Sequence, residues 1–453
     1  MPMGNASNVD IAAKNPREKT PLSSWWMLGI LLLFYVISYL DRYIITMLVP
    51  PIKADLGLSD FETSLILGPA FAICFGLFGL PLGWASDRYS RRWIVFLGVM
   101  VWSLATMGSG LAGGFIALFA ARSFVGVGEA ALTPAAYSLI GDKFPAHRVA
   151  TASSIYQMGV KLGSAAAFSL GAVAIAIVSK HEFEHLPLIG DMKPWQLVFV
   201  LVGAPSVVLA FLCFTFSEPL RRGRAPGGDT NFKDLFVFWR QHSALLWLMV
   251  VGFGLISLCA FSLTAWTPTY ITRAFGWTPV QYGPALSIIS ILSAATLVFK
   301  GALLDWMFAR GIKDAYLRLY TWLLAGSIPI AFTVYFVSDI YLFLVLFGII
   351  QVVTIPLMVY LVPTIHLLAP NQLRAQLIAI FLLVSTFVGQ GIGPMLVGAI
   401  TDFVFQDEAK IGYSLASILI VAVPTAFVVL SLARRHLLVA IAHREREVQS
   451  KEA

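Results

Sequence analysis

The stretch from Leu31 to Val49 constrains this chain more than any other, because it is a long apolar run with two ionisable residues in its interior. A helix needs about 20 mostly apolar residues to cross a bilayer, and this run has that character. Asp41 and Arg42 lie inside it, where each ionisable side chain costs roughly 2.5–3.5 kcal/mol on insertion scales. The pattern predicts either a buried pair that fixes helix packing or a proton or substrate site in a transport pathway.

Composition places the whole chain in the membrane. Of its 453 residues, 58% are hydrophobic and only 12% are charged, whereas soluble proteins carry about 25% charged residues. The formal net charge of +7 does not indicate nucleic-acid binding, because the basic residues lie in loops between apolar runs. Lipid headgroups and the positive-inside rule account for them. The three cysteines lie in apolar runs and indicate neither a disulfide nor a metal site.

We therefore predict an all-α membrane protein with about twelve transmembrane helices, each able to cross about 30 Å of hydrocarbon. The predicted spans cover 24–49, 61–86, 93–112, 115–140, 149–178, 195–217, 244–270, 280–304, 316–337, 340–368, 375–404 and 411–434. The predicted domains are a tail over 1–22, a six-helix bundle over 23–217, a linker over 218–243, a second six-helix bundle over 244–434 and a tail over 435–453. Within the linker, FKDLFVFW is typical of an amphipathic helix at the headgroup level.

The distribution of basic residues in the loops predicts the orientation. Most of the loop Lys and Arg residues fall on the side of both tails, and few fall on the other side, among them Lys53 and Arg273. By the positive-inside rule, both termini are predicted to be cytoplasmic, in a multi-pass protein of the cell inner membrane.

The loop after the second span carries a motif, Gly83-Trp-Ala-Ser-Asp87-Arg88-Tyr-Ser-Arg91-Arg92. Positive-inside charges alone explain its arginines but not the spacing from Gly83 to Asp87. A glycine permits close approach of another helix, and an aspartate accepts bonds from a helix N-terminus or an arginine. The five residues Gly83, Asp87, Arg88, Arg91 and Arg92 are therefore predicted to bias a gate.

The two halves of the chain repeat each other. The Gly83-to-Asp87 spacing returns as Gly301 to Asp305 after the eighth span. Pro145 to Arg148 before the fifth span is matched by Pro370 to Arg374 before the eleventh. Parallel six-span repeats with this loop motif resemble the major facilitator transporters.

The fourth span adds two more charges. Arg122 and Glu129 are seven residues apart, so they share a helix face about 10.5 Å apart along the axis. Counting residues from the middle of each span, at 1.5 Å per residue, places Asp41, Arg122 and Glu129 within one layer of the membrane about 10 Å thick. A static ion pair that only fixes packing is the alternative to a transport role.

Other candidates differ between the halves. Gln157 and Lys161 are one turn apart in the fifth span, where Lys161 is expected either to line the cavity or to pair with an acid. The second half offers only neutral polar or aromatic groups, Trp266 among them, because Lys300 and Asp305 are placed at the end of a span. A cavity charged on one side and apolar on the other favours an amphiphile over a sugar.

Two matches to enzyme motifs lack the surroundings that those motifs require. His181-Glu182-Phe-Glu-His185 has the HExxH pattern of zinc proteases, but Pro187 follows and no third ligand lies nearby. Gly108 to Gly113 has the GxGxxG pattern but follows a membrane helix rather than a strand. The chain has no GxxxxGK(S/T) loop, so we expect neither ATP hydrolysis nor any other catalysis, and no metal.

Asp41-Arg42 in the first span, with Arg122 and Gly126-Val-Gly128-Glu129 in the fourth, resembles the Spinster branch of the major facilitator superfamily. The resemblance implies a monomeric rocker-switch carrier for lysophospholipids or sphingosine-1-phosphate-like lipids, with the bilayer and the lipid as its partners. It also implies proton coupling through Asp41 and Glu129, with Arg42 and Arg122 near the lipid head, and no cofactor other than the proton. Gln157, Lys161 and Trp266 complete the predicted substrate site. A carrier for an organic anion without a lipid tail is the alternative, and a metallohydrolase using HExxH is the minor one.

Overall fold

A computed structural model describes residues 20–180, 192–221, 232–354 and 357–452 of the chain. In these ranges the secondary structure is helical, and no strand occurs among the described residues. The HExxH residues His181, Glu182 and His185 lie outside the described ranges, as does the middle of the predicted linker.

The first six spans form the N-half. Several begin at residues that favour a helix start, such as Ser59, whose side chain accepts a hydrogen bond from the Glu62 backbone N–H while Glu62 bonds back to Ser59. The second span is interrupted at Gly68 and the fourth at Ala131. The helices of the N-half are Leu22–Leu56, Asp60–Leu67, Pro69–Arg88, Arg91–Ser109, Phe115–Ala130, Leu132–Lys143, Ala146–Lys180 and Pro194–Ala210, followed by a 3₁₀ turn over Phe211–Thr215.

The C-half repeats this arrangement with irregular turns in its eleventh span. Within the predicted linker, a short helix over Phe232–Gln241 precedes it. The helices of the C-half are Ser243–Phe275, Pro279–Ala309, Ala315–Thr333, Ile340–Thr354, Leu357–Leu368, Asn371–Val384, Gly393–Ala399 and Ile411–Glu452, with π-helical turns over Ser385–Ile392 and Ile400–Phe405 and a 3₁₀ turn over Glu408–Lys410.

Ten helices among the described residues are long and apolar enough to cross a membrane. They coincide with the predicted spans one to eight, eleven and twelve. The ninth predicted span corresponds to Ala315–Thr333, and the tenth to the two shorter helices Ile340–Thr354 and Leu357–Leu368. The architecture is therefore the predicted all-α membrane fold with two bundles of helices.

The two halves meet along three pairs of spans. The first span packs on the seventh, the second on the eleventh, and the fifth on the eighth. We use the term outer end for the end of the halves that carries the turns at 57–59, 276–278 and 406–410, and inner end for the end that carries Asp87 and Asp305. At the outer end the halves are bonded together: the Phe61 backbone N–H donates to Asp402 Oδ2 at 2.6 Å.

Candidate functional site

The structure brings four predicted residues, Asp41, Arg42, Arg122 and Glu129, together between the first and fourth spans; we name them the central cluster. All four side chains are buried. Two acids and two bases make the cluster formally neutral, which lowers the cost of holding ionisable groups in the interior.

Arg42 and Glu129 form the ion pair of the central cluster. Ser38 Oγ donates a second bond to Glu129 Oε2 at 2.7 Å. The Arg42 guanidinium lies 4.1 Å from the ring centre of Phe71 and 4.5 Å from that of Tyr39, both within cation–π range. With Phe75 at 5.6 Å, Arg42 is thus held by one carboxylate and three aromatic faces.

Asp41 is bonded much more weakly. It is fully buried, and its Oδ2 accepts a hydrogen bond from Thr106 Oγ1 at 3.4 Å. Arg122 Nη1 donates to the main-chain carbonyl of Asp41 at 3.2 Å, not to its carboxyl. Within the described residues, Asp41 Oδ1 and Glu129 Oε1 have no hydrogen-bond partner. Buried oxygens without hydrogen-bond partners are costly, so the two carboxyls are incompletely satisfied in this arrangement.

Glycines make room for the cluster. A Cβ at Gly126 would lie 2.6 Å from the Phe71 carbonyl oxygen in the second span. A Cβ at Gly128 would lie 2.6 Å from the Trp102 backbone nitrogen in the third span. Both contacts are too short for a side chain, so these glycines let the fourth span approach its neighbours and bring Glu129 to Arg42.

Among the described contacts, neither Gln157 nor Trp266 is hydrogen-bonded to the central cluster. Gln157 is exposed and bonded to the Tyr137 hydroxyl. Trp266 is fully buried, and its Nε1 donates to the Pro394 carbonyl at 2.9 Å, between the seventh and eleventh spans. Contact between Trp266 and substrate stays a prediction, and it requires the side chain to leave this position.

Two lysines lie at the junction of the halves. Lys161 in the fifth span is half-buried. Lys300 in the eighth is 5% exposed and donates to the Val352 carbonyl of the tenth span. The eighth helix continues to Ala309, beyond the predicted end of the span at residue 304, so Lys300 lies within the helix. Its placement at the end of the membrane span stays a prediction. The C-half therefore contributes one buried lysine to the described structure.

The residues of the loop motif differ in their surroundings. Asp87 and Arg88 are exposed, with the Arg88 guanidinium 4.2 Å from the Trp84 ring centre. Among the described residues, no ion pair involves Asp87. A Cβ at Gly83 would meet only Pro134, at 3.9 Å, so this arrangement does not require a glycine there. Gating contacts of these residues would require a different relative position of the two halves, so their gating role stays a prediction.

Arg91 ties the inner ends of the N-half together. It is buried, pairs with Asp142 of the fourth span and donates to Glu218 Oε1 at 3.2 Å, beyond the sixth span. Burial alone would raise the pKa of the Glu218 carboxyl, but hydrogen bonds from Ser90 and from Arg91 hold that pKa below its ordinary value. Arg92 bonds only the Phe216 carbonyl among described groups, at 3.4 Å.

At the outer end, four charged residues form a cluster across the halves that sequence reasoning missed; we name Lys53, Asp60, Arg273 and Glu408 the outer cluster. Asp60 is fully buried and pairs with Lys53 of its own half. Arg273 of the C-half binds both Asp60 oxygens, at 2.7 and 2.8 Å. Glu408 accepts from Arg273 at 2.8 Å and lies 2.9 Å from Lys53. The sequence does show opposite charges in the outer turns, which could have indicated such a cluster. It does not show which turns lie next to each other.

The described residues contain no group of three or more His, Cys, Asp or Glu side chains arranged to hold a metal ion.

The model of the Major Facilitator Superfamily matches residues 31–394, and the chain belongs to this family of transporters. It is 27% identical over 418 residues to an MFS-type efflux pump of Mycolicibacterium smegmatis, covering 89% of this chain and 90% of that protein. It is 28% identical to human protein spinster homolog 1, covering 62% of this chain and 52% of that protein. It is 27% identical to the hexuronate transporter of Bacillus subtilis, covering 66% and 69% of the two chains.

Solved structures show the same fold. A bacterial homolog of the human lysosomal transporter Spinster, in an inward-facing and unoccupied conformation, superposes with a TM-score of 0.76 at 23% identity. The match covers 94% of this chain and 98% of that one. The predicted resemblance to Spinster proteins is confirmed as a similarity in sequence and in fold.

Proposed function

We propose that this protein is a proton-coupled secondary transporter of an amphiphilic lipid with an anionic or zwitterionic head, of the lysophospholipid or sphingosine-1-phosphate type. It moves this substrate by alternating access without chemical transformation, and it uses no cofactor besides the proton. It acts as a monomer in the cell inner membrane, with both termini in the cytoplasm. The observation that carries the proposal is the central cluster, in which one acid is paired and the other is not.

The geometry of the cluster supplies a coupling step. Glu129 holds Arg42 as an ion pair, so a proton on Glu129 would weaken that pair and release the Arg42 guanidinium. A released guanidinium is suited to bind a phosphate or carboxylate head, in two parallel hydrogen bonds. Asp41, whose buried Oδ1 has no partner among described groups, offers a second position for a proton. Proton binding at Glu129 would then favour head-group binding at Arg42.

Replacing the two acids tests the proton step. In proteoliposomes without ATP, Glu129→Gln and Asp41→Asn should each reduce transport driven by a pH gradient by at least tenfold and flatten its pH dependence. Glu62→Gln is the matched control, because Gln also fits the capping position that Glu62 occupies. An unchanged pH profile in both cluster variants would show that these acids do not couple protons.

An organic anion without a lipid tail is the second candidate, and a named relative favours it specifically. The relative from Bacillus subtilis is called a hexuronate transporter, and that name denotes a carboxylate substrate. Arg42 and Arg122 would serve such an anion as well as a lipid head.

One comparison separates the two candidates: transport of oleoyl lysophosphatidic acid against transport of glycerol 3-phosphate, which has the same head without the tail. The amphiphile proposal predicts transport of the first and at least tenfold less of the second, with Arg122→Ala abolishing both. Equal transport of the two would reject the lipid proposal and support the organic anion.

A further inference from the structure

We propose that Ser38 is a positioning residue of the central cluster, which sets the pH at which Glu129 takes up a proton and releases Arg42. The inference rests on the proposed function, and it adds to that function a residue that carries no charge. Ser38 acts through Glu129 and is not itself a ligand of the substrate.

The first argument is the bond that Ser38 makes. Ser38 is 2% exposed, and its Oγ donates to Glu129 Oε2 at 2.7 Å, from the first span to the fourth. Arg42 donates to the same oxygen. Ser38 and Arg42 are four residues apart in one helix, so their side chains lie on one face of it. The carboxylate is therefore held by two donors from a single helix face.

The second argument is the difference between the two oxygens of Glu129. Oε2 accepts both bonds, whereas Oε1 is buried and has no hydrogen-bond partner among the described residues. Oε1 is therefore the oxygen open to a proton. A protonated Glu129 loses its charge attraction to Arg42, but its Oε2 can still accept from Ser38. Ser38 thus keeps the carboxyl in place while Arg42 leaves.

The third argument is that Ser38 differs from several other serines of the spans. The hydroxyls of Ser164, Ser206 and Ser290 each donate to the carbonyl four residues earlier in their own helix, at 2.9, 3.2 and 2.9 Å. Such a bond satisfies a serine hydroxyl within its own helix. Among the described bonds, the Ser38 hydroxyl instead donates to a carboxylate of another span.

The bond gives the direction of the expected effect. A hydrogen bond to an ionised carboxylate is roughly twice as strong as one between neutral groups, so Ser38 favours the ionised form of Glu129. Without this bond, Glu129 takes up its proton at a higher pH. The substitution leaves in place the other charged or titratable groups that interact with Glu129, which are Asp41, Arg42 and Tyr43 of the first span, Arg122 of its own span and Tyr156 of the fifth. The second and third spans meet the fourth beside Glu129 through Phe71 and Trp102.

The test is binding of oleoyl lysophosphatidic acid to the purified full-length protein as a function of pH. Binding should strengthen on acidification, and the midpoint of this change should rise by about 1 pH unit in Ser38→Ala, as expected for the loss of one charged hydrogen bond. Ser38→Cys has a weak donor in place of the hydroxyl, so its midpoint should also rise. Ser38→Thr keeps the hydroxyl and should stay near the wild-type midpoint. The lipid phosphate titrates in the same way for every variant, so differences between variants report the protein.

Two further variants isolate the route through Glu129. Ser206→Ala is the matched control, since Ser206 is also 2% exposed but its described bond goes to its own helix. Its midpoint should equal that of the wild type. The double variant Ser38→Ala with Glu129→Gln should show the same pH dependence as Glu129→Gln alone, because the group through which Ser38 acts is absent.

The outcomes distinguish this inference from the function on which it rests. If the wild-type protein does not bind the lipid, or if Glu129→Gln retains the full pH dependence, the proposed function fails and this inference fails with it. If Glu129→Gln removes the pH dependence while Ser38→Ala and Ser38→Cys keep the wild-type midpoint, the role of Ser38 is wrong and the function stands. An affinity that falls equally at every pH would assign Ser38 to packing of the first span on the fourth and overturn its role in the proton step.

Discussion

The outer and inner ends of the molecule use similar charged groups in opposite ways. At the outer end, Asp60 of the N-half is bound by Arg273 of the C-half, so the ion pairs cross the junction. At the inner end, Arg91 pairs with Asp142 and Glu218 inside the N-half. Asp314 pairs with Arg318 and Arg434 inside the C-half. Charges therefore join the halves at one end and stiffen each half separately at the other.

This difference teaches how the molecule can move. A cluster within one half keeps its bonds when the halves rotate as rigid bodies, whereas a cluster between halves must break. In the proposed alternating-access cycle, opening the outer end therefore breaks the outer cluster. Opening the inner end leaves intact the two inner clusters, Arg91–Asp142–Glu218 and Asp314–Arg318–Arg434. Three substitutions test this comparison.

The largest effect is expected from Asp60→Asn, which weakens the pair with Arg273 across the halves. Charged hydrogen bonds contribute about 1.5–3 kcal/mol, so the ratio of outer-open to outer-closed molecules should rise by roughly tenfold or more. Distance measurements between spin labels at Ala54 and Ala409, both exposed at the outer end, would report the shift.

The matched control is Lys193→Gln. Lys193 pairs with Asp55 at the same end but within the N-half, so its loss should leave the label distances unchanged. If both substitutions changed the label distances equally, the effect of Asp60→Asn could not be assigned to the ion pair between the two halves.

A smaller effect is expected from Asp87→Asn. Asp87 is exposed and unpaired with any described base here, so the substitution costs this arrangement nothing. It removes the bonds that we predict Asp87 makes when the inner end closes. The inner-closed state should lose about 1 kcal/mol, so the ratio of inner-open to inner-closed molecules should rise roughly fivefold.

Spin labels at Gly141 and Ala309, exposed at the inner end, measure this population. Asp234→Asn, in the exposed face of the linker helix, is the control. An unchanged distance distribution in Asp87→Asn would contradict the gating role of the loop motif.

The smallest effect is expected from Glu218→Gln, which weakens the interaction of Glu218 with Arg91 at the inner end of the N-half. Because Glu218 is partly exposed, the loss of stability should be under about 1 kcal/mol. The folded-state pKa of Glu218 lies below its ordinary value. Its contribution is therefore present above the unfolded-state pKa and disappears as the pH falls through the folded-state pKa.

Thermal unfolding of both proteins from neutral to acidic pH measures this contribution. The difference between wild type and Glu218→Gln should shrink on acidification, while the outer-end label distances stay constant. A difference that is independent of pH would assign the effect of Glu218 to packing instead of charge.

The fold was largely predictable because it follows from local properties of the chain. Apolar runs longer than a bilayer is thick identify spans without knowledge of their partners. The proximity of Asp41, Arg122 and Glu129 was also accessible, because depth along a straight helix can be counted at 1.5 Å per residue. The ion pair between Arg42 and Glu129 required knowing how the two helices rotate about their axes, and counting does not give that.

Other features depend on contacts that no periodicity reveals. Asp60 and Arg273 are far apart in the sequence and meet because two outer turns approach each other. Lys300 was placed at the end of a span because the apolar run fades near residue 304, although the helix itself continues. Trp266 was predicted to line the substrate site, but its Nε1 donates to the Pro394 carbonyl and its ring is packed within the C-half. The sequence does not show this hydrogen bond.

The position of each charged partner along the chain also orders the assembly of the protein during synthesis. Every described member of the N-half inner cluster precedes residue 222, so this bundle can complete its charge pairs before the C-half leaves the ribosome. Lys53 precedes Asp60 in the chain, so Asp60 has a partner of opposite charge as soon as it is synthesised. The outer cluster becomes complete only when Glu408 arrives with the final span. The ion pairs that join the halves, like the pair between Asp314 and Arg434 inside the C-half, thus form after those of the N-half.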